Sequence, residues 1–276
     1  MKGECGYVEL HARSAFSFLR GASQPRELAE AGAAVGLEAM AVCDRGGVYG
    51  TARFHKAARK QGVRPIVGCE LAMEDGCTFP VLIKSRQGYR NLCKLLTQVQ
   101  LRAEKGQGSV RWEELAEFAE GMIALTGDDE GPLHRAWVED GRVGVERALG
   151  RFRGAFADED LGIEVQRHHI RGEQRWVLAL RDLAESERLQ VVATNGVCYA
   201  TQKGRGVQDI FTCLRKKTNL DEAGSLLSCN AQRFVKSSKE MAYLFQDMRE
   251  AVSNTFRVAE RCEFSLENIG YEFPRF

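Results

Sequence analysis

The sequence has no Cys-x-x-Cys pair, although it carries nine cysteines, at 5, 43, 69, 77, 93, 198, 213, 229 and 262. An odd and scattered set, with members inside apolar runs such as Ala41-Val42-Cys43 and Val67-Gly68-Cys69, argues against a disulfide framework and for reduced, buried thiols. Net charge is also lacking. With 39 Lys and Arg against 38 Asp and Glu, the formal charge is +1, which excludes a strong basic field and limits any nucleic-acid contact to a local one. No apolar run is long enough to span a bilayer, and Met1-Lys2-Gly3-Glu4 lacks the apolar segment of a signal peptide, so a cytoplasmic protein without membrane contact is expected. Internal repeats and low-complexity segments are missing. Glycines 46, 47 and 50 fit neither a GxGxxG nor a P-loop spacing, so they read as a tight strand-to-helix turn and not as a nucleotide cradle.

What is present is an ordinary globular composition, 44% hydrophobic and 28% charged over 276 residues, long enough to bury a core without staples. Short β-branched or apolar runs at 7–10, 39–43, 64–68, 80–84, 122–125, 162–165 and 190–194 read as strands. Segments of helical period lie among them, at about 49–61, 89–104, 112–120, 144–156 and 169–188. A further helix is expected to be capped by Ser23, with Pro25 in its first turn and Gly36 as its stop. This alternation predicts parallel βα units, as an open doubly wound sheet or a barrel, over about 5–200. After Tyr199 the pattern turns all-helical, over about 201–276. Val207, Ile210, Phe211 and Leu214 form an apolar face, and Ser237-Ser238-Lys239-Glu240 reads as a capping box. The tail NIGYEFPRF reads as extended, and it stops short of a domain end, so a longer protein is expected.

In parallel α/β folds the loops at the carboxyl ends of the strands converge on one rim. His11, Asp44, Glu70, Asp128 with Asp129, Gln166 through His169, and Asn195 with Gly196 follow six of the seven expected strands. Together they point to a present or former functional site. His11, Asp44 and Glu70 could begin a metal site, but the same loops deliver Arg13, Arg20 and Arg45, which are always charged and offer no lone pair. Carboxylates paired with arginines are therefore expected in place of carboxylates holding metal. Of the adjacent His168 and His169, only one can face the rim, and His55 and His134 read as surface or packing residues. Arg53, Lys56 and Lys60 read as a solvated helix face. Arg215-Lys216-Lys217 reads as a basic cluster at a helix end, where the helix dipole by itself favours cations.

The stretches YVELHARSAFSFLRGAS, AVCDRGGVYGTARFHKAA, RPIVGCEL, GYRNLCKLLT, IEVQRHH, VVATNGVCYAT and AERCEF resemble the N-terminal PHP (polymerase and histidinol phosphatase) domain of bacterial C-family, DnaE-type DNA polymerases. FSFLRGAS at 16–23 is most similar to the error-prone branch. The resemblance runs from about 5 to 273 and implies a distorted (β/α)7 barrel followed by a short helical extension leading toward a polymerase palm. A metal-competent member would carry His-x-His at 11–13, Thr-Asp-His at 43–45 and Thr-Asn-Asp-x-His at 194–198. This chain has His11-Ala12-Arg13, Cys43-Asp44-Arg45 and Thr194-Asn195-Gly196-Val197-Cys198, with Arg20 in place of a loop acid. His11 and Glu70 remain as matched ligands, Asp44 stands beside a lost one, and Cys198 is a substitute at most.

The expectation is a metal-free, non-catalytic barrel in which Arg13, Arg20 or Arg45 neutralises Asp44 and Glu70. The resemblance implies a parent enzyme that is an error-prone, DNA-damage-response polymerase, with Mg and its carboxylates in a palm beyond residue 276 and DNA held through the full protein. Two alternatives stay open. One is a metal-dependent phosphoesterase or proofreading exonuclease with an atypical site on His11, Glu70, Cys198 and Asp128. The other is an interaction module whose 207–214 face docks a sliding clamp or damage-response partner.

Overall fold

The computed structural model of the chain describes residues 6–269. Seven strands form one curled sheet in chain order: β1 (Glu9–Ala12), β2 (Ala39–Arg45), β3 (Arg64–Ala72), β4 (Thr78–Ile83), β5 (Met122–Leu125), β6 (Leu161–Val165) and β7 (Gln190–Ala193). Helices α1 (Pro25–Ala34), α2 (Thr51–Lys60), α3 (Arg86–Arg102), α4 (Trp112–Phe118), α5 (Pro132–Arg153) and α6 (Glu173–Glu187) connect them. Then follow α7 (Arg205–Lys216), α8 (Leu220–Ala223), α9 (Ser238–Leu244) and α10 (Arg249–Arg261). The sheet is mixed. β4 runs antiparallel to both β3 and β5, which departs from the expected all-parallel pattern. The reason is local: Met73 and Cys77 close a tight turn around Gly76 (φ +82°), too short for a crossover helix.

Alternation along the strands sorts the residues onto two sides. Leu10, Ala41, Ile66, Leu82, Ile123 and Val192 point into the barrel. Val42, Val67, Val81, Ala124 and Ile163 point outward, in one cluster with Leu28, Phe54, Leu95, Phe152 and Leu180 of the surrounding helices. Full burial of one such Leu or Ile contributes about 1.5–3 kcal/mol. β1 and β7 do not pair with each other, and two devices close the gap. Toward the carboxyl ends, Val197 donates its N–H to the His11 carbonyl and accepts from Arg13. Toward the other end, Thr255 Oγ1 of α10 accepts from the Val8 N–H, and Asn254 donates to the Val191 carbonyl. Val258 and Ala259 of α10 and Cys262 just after it fill the barrel floor, where Arg64 caps the helix through the Ala259 and Cys262 carbonyls at 2.9 and 3.0 Å.

Other local expectations meet mixed outcomes. Ser237 does form a capping box, its Oγ accepting from the Glu240 N–H at 3.2 Å. Ser23 does not cap α1. Gln24 takes that position and Ser23 Oγ accepts from the Ala200 N–H at 2.9 Å, so its hydroxyl ties the chain after β7 to the loop after β1. α5 starts twelve residues before the expected 144, and a non-helical Gly141 (φ 61°) interrupts it. The eight described cysteines are all unpaired and six are buried. Cys5 lies outside the described residues; of the tail expected to be extended over 268–276, Asn268 instead ends a short 3-10 helix, Leu266–Asn268, and 270–276 lie outside the described residues.

Candidate functional site

β1 is a short buried strand that carries two ionisable side chains, Glu9 and His11, where a core would have apolar ones. The imidazole of His11 is fully buried between two carboxylates, with Nδ1 2.7 Å from Glu164 Oε1 and Nε2 3.0 Å from Glu70 Oε1. Burial opposes a positive charge there. The charge of Glu164 and the hydrogen bonds to Glu164 and Glu70 outweigh it, and His11 is pushed up to about 10. Its two nitrogens are therefore both donors at neutral pH.

Arg13 lies beside it, also buried. Its Nε and Nη2 reach Glu70 Oε1 at 3.0 and 2.5 Å, and Nη2 reaches Asp128 Oδ2 at 2.6 Å. Burial would raise both carboxyls, but the charges of Arg13 and Arg45 on Glu70, and of Arg13 and Arg233 on Asp128, hold both well below the usual range. Arg45 completes Glu70 from the other side, Nε to Oε2 at 3.3 Å, and donates to Thr78 Oγ1 at 2.9 Å and to Glu130. The expected pairing is thus found for Glu70 with Arg13 and Arg45.

It is not found for Asp44 or Arg20. Asp44 meets no guanidinium. Its oxygens accept from the Ser14 N–H and Oγ–H, the Ser17 hydroxyl and the Gly50 N–H at 2.9–3.1 Å. A Cβ on Gly50 would stand 2.3 Å from Asp44 Oδ2, so the glycine is what lets α2 start this close. With only neutral donors around it, burial dominates and raises its carboxyl above the usual range. Arg20 instead holds Glu130 at 2.6 Å.

The remaining rim residues are brought to the same place. Gly196 sits at φ +52°, and a Cβ there would run into Gln166 and Arg233. Cys198 Sγ is 3.8 Å from Arg13 Nη1. His168 faces inward, Nε2 2.9 Å from the Asn195 carbonyl, and burial pushes it down to about 3, whereas His169 is exposed.

Four groups of the site were not among the residues singled out from sequence: Glu9, Glu164, Glu130 and Arg233. Glu9 accepts from Tyr7 Oη at 2.7 Å and from the N–H groups of His11 and Asn195, and burial raises it to about 7. Glu164 is held by Gln166 at 2.8 Å and by Thr194. Arg233 binds Asp128 and Asp129 at 3.3 and 2.8 Å. A carboxylate inside the apolar runs YVEL and GIEV was the available signal for the first two. Arg233 comes from the far segment after α8, and only the fold brings it here.

A divalent cation needs a deprotonated imidazole and free carboxylate lone pairs. Here both ring nitrogens of His11 are taken up by carboxylates, and a guanidinium occupies the space between Glu70 and Asp128. The residues present do not fit a metal ion in this arrangement, and no three His, Cys, Asp or Glu side chains among the described residues are placed to hold one. No helix among the described residues is long and apolar enough to cross a membrane.

Residues 9–168 match the PHP domain. The chain is 33% identical over 269 residues to error-prone DNA polymerase 1 of Agrobacterium fabrum and 34% identical over 271 residues to the error-prone DNA polymerase of Caulobacter vibrioides. Each alignment covers 97% of this chain and 24% of the relative. The chain thus spans about a quarter of the length of the curated relatives it matches. An amidohydrolase from Chromobacterium violaceum, solved with bound sulfate and no metal, shares the fold with a TM-score of 0.52 at 15% identity, over 70% of this chain and 88% of that one. With more than half of its length matched, the chain belongs to the PHP domain family.

Proposed function

We propose that this chain is the PHP portion of an error-prone DNA polymerase, and that its barrel is a metal-free, non-catalytic scaffold for the rest of the polymerase chain. The observation that carries the reading is Arg13. Its guanidinium bridges Glu70 and Asp128 and supplies, as a fixed charge, the neutralisation a metal ion would give. Nucleotide addition on damaged DNA, with Mg held by palm carboxylates, belongs to the remainder of the polymerase, acting in the cytoplasm. The exposed face of α7, with Val207, Ile210 and Leu214, is where that remainder would pack. The test is hydrolysis of bis-p-nitrophenyl phosphate by the purified chain with millimolar Mn or Zn. Turnover no faster than buffer with the same metal supports the scaffold. Turnover that Glu70→Gln abolishes would establish the atypical phosphoesterase instead.

A further inference from the structure

Helices α1 and α2 pack side by side and leave between them a groove of about 310 Å³ whose lining includes Arg26, Glu30, Arg53, Lys56 and Lys60. The groove thus carries four cations and a single carboxylate, and Arg26 takes that carboxylate, Glu30, at 2.7 Å. No carboxylate among the described residues pairs with Arg53, Lys56 or Lys60, whereas their neighbour Arg59 has Glu267 at 3.0 Å. Positions 53, 56 and 60 recur on one face of α2, which sets three cations along about 10 Å of helix. Like charges at this spacing repel one another and weaken the helix that bears them. In a chain whose formal charge is +1 they form a local basic track, and a polyanion would relieve the repulsion.

Toward the amino-terminal end of α2 the track meets aromatic rings. The Arg53 guanidinium lies over Phe16, 5.1 Å from the ring centroid. Phe16 belongs to the loop after β1, and two residues on, Phe18 is 81% exposed. That exposure is built in. Asp44 accepts from the Ser14 and Ser17 hydroxyls at 2.9 Å, which pins the loop on both sides of Phe16. Leu19, immediately after Phe18, sits in the left-handed region at φ 58°, where a leucine costs free energy. A pinned and strained turn holds a phenylalanine out in water, two residues from the ring that Arg53 covers. Cations for phosphates and a free ring face for a base are the two parts of a single-strand receptor. An acidic peptide would use the cations and leave the ring idle.

We propose that α2 and the loop after β1 form a contact for single-stranded DNA, with its phosphates on Arg53, Lys56 and Lys60 and one base stacked on Phe18. The choice of DNA among polyanions rests on the polymerase reading above, while the track and the ring stand without it. The contact uses no rim carboxylate as a ligand and needs no metal. The face that reads from sequence as merely solvated thereby gains an occupant.

The test is fluorescence anisotropy of a labelled oligothymidylate of about 12 nucleotides with the 276-residue chain, in EDTA and over a salt series starting near 50 mM. The logarithm of the binding constant should fall against the logarithm of salt with a slope of about −2, the value for three phosphates of a single strand. Lys56→Gln/Lys60→Gln should bind at least about tenfold weaker, with the slope reduced to about −0.7. Phe18→Ala should bind at least about fivefold weaker with the slope unchanged. Lys105→Gln/Lys239→Gln, which removes the same charge from the loop after α3 and from α9, should bind as the parent does. All these side chains are exposed, so the variants should melt as the parent does. Unchanged affinity in Phe18→Ala, or polyglutamate bound as tightly as the oligonucleotide, overturns the proposal in favour of a general polyanion surface. No binding, or equal losses in the two double variants, overturns it as well. Either failure leaves the scaffold reading to the hydrolysis assay, which tests it separately.

Discussion

At the residue scale the site is held by exchange of charge. Arg13 lies where the family pattern places a histidine, and the fold answers by setting its guanidinium against Glu70 and Asp128. Removing one partner of a buried ion pair leaves the other uncompensated, so Arg13→Ala should lose about 3–5 kcal/mol of stability in urea unfolding at pH 7. A loss below about 1 kcal/mol would mean that Arg45 and Arg233 suffice. His168 gives a pH dependence of known sign. Burial depresses it to about 3, so between its unfolded value near 6.5 and that value the unfolded chain binds the extra proton. Its contribution is complete above about pH 6.5 and fades as pH falls. Between pH 6.5 and 5 the parent should lose up to about 2 kcal/mol more than His168→Gln. Parallel pH curves for the two proteins would contradict this. Glu70 and its arginines were legible because they stand at strand ends. Glu9 and Glu164 were not, because a carboxylate within an apolar run is weighed against burial until its partners, here Tyr7, His11 and Thr194, are known.

At the element scale, the strands and most helices were legible from period and punctuation, and what failed was pairing. The reversal of β4 depends on a turn at 73–77 that alternation cannot register. Gly141, within a charged stretch, hid the first half of α5. The role of α10 was likewise invisible, because its target is the barrel floor beside Leu10 and Ile66 and only the fold brings them together. Truncation there should therefore act on the barrel itself. Val258→Ala should cost about 2 kcal/mol, read as a Tm lowered by about 4 °C in calorimetry, with the whole chain melting in one transition. A second, separate transition would show that α10 melts independently of the barrel.

At the scale of the whole molecule, a curled seven-stranded sheet is closed by Val197 above and α10 below, around an interior that is apolar at the floor and ionic at the rim. In the ionic layer His11, Arg13 and Arg45 all lie against Glu70, and His11 also against Glu164 and Arg13 against Asp128. Measuring the metal content of the purified, dialysed chain by mass spectrometry tests this most directly. The account predicts less than about 0.1 equivalent of Zn, Mn or Fe, because Glu70, Glu164 and Asp128 are already paired with His11, Arg13, Arg45 or Arg233. One equivalent or more that survives dialysis would contradict it.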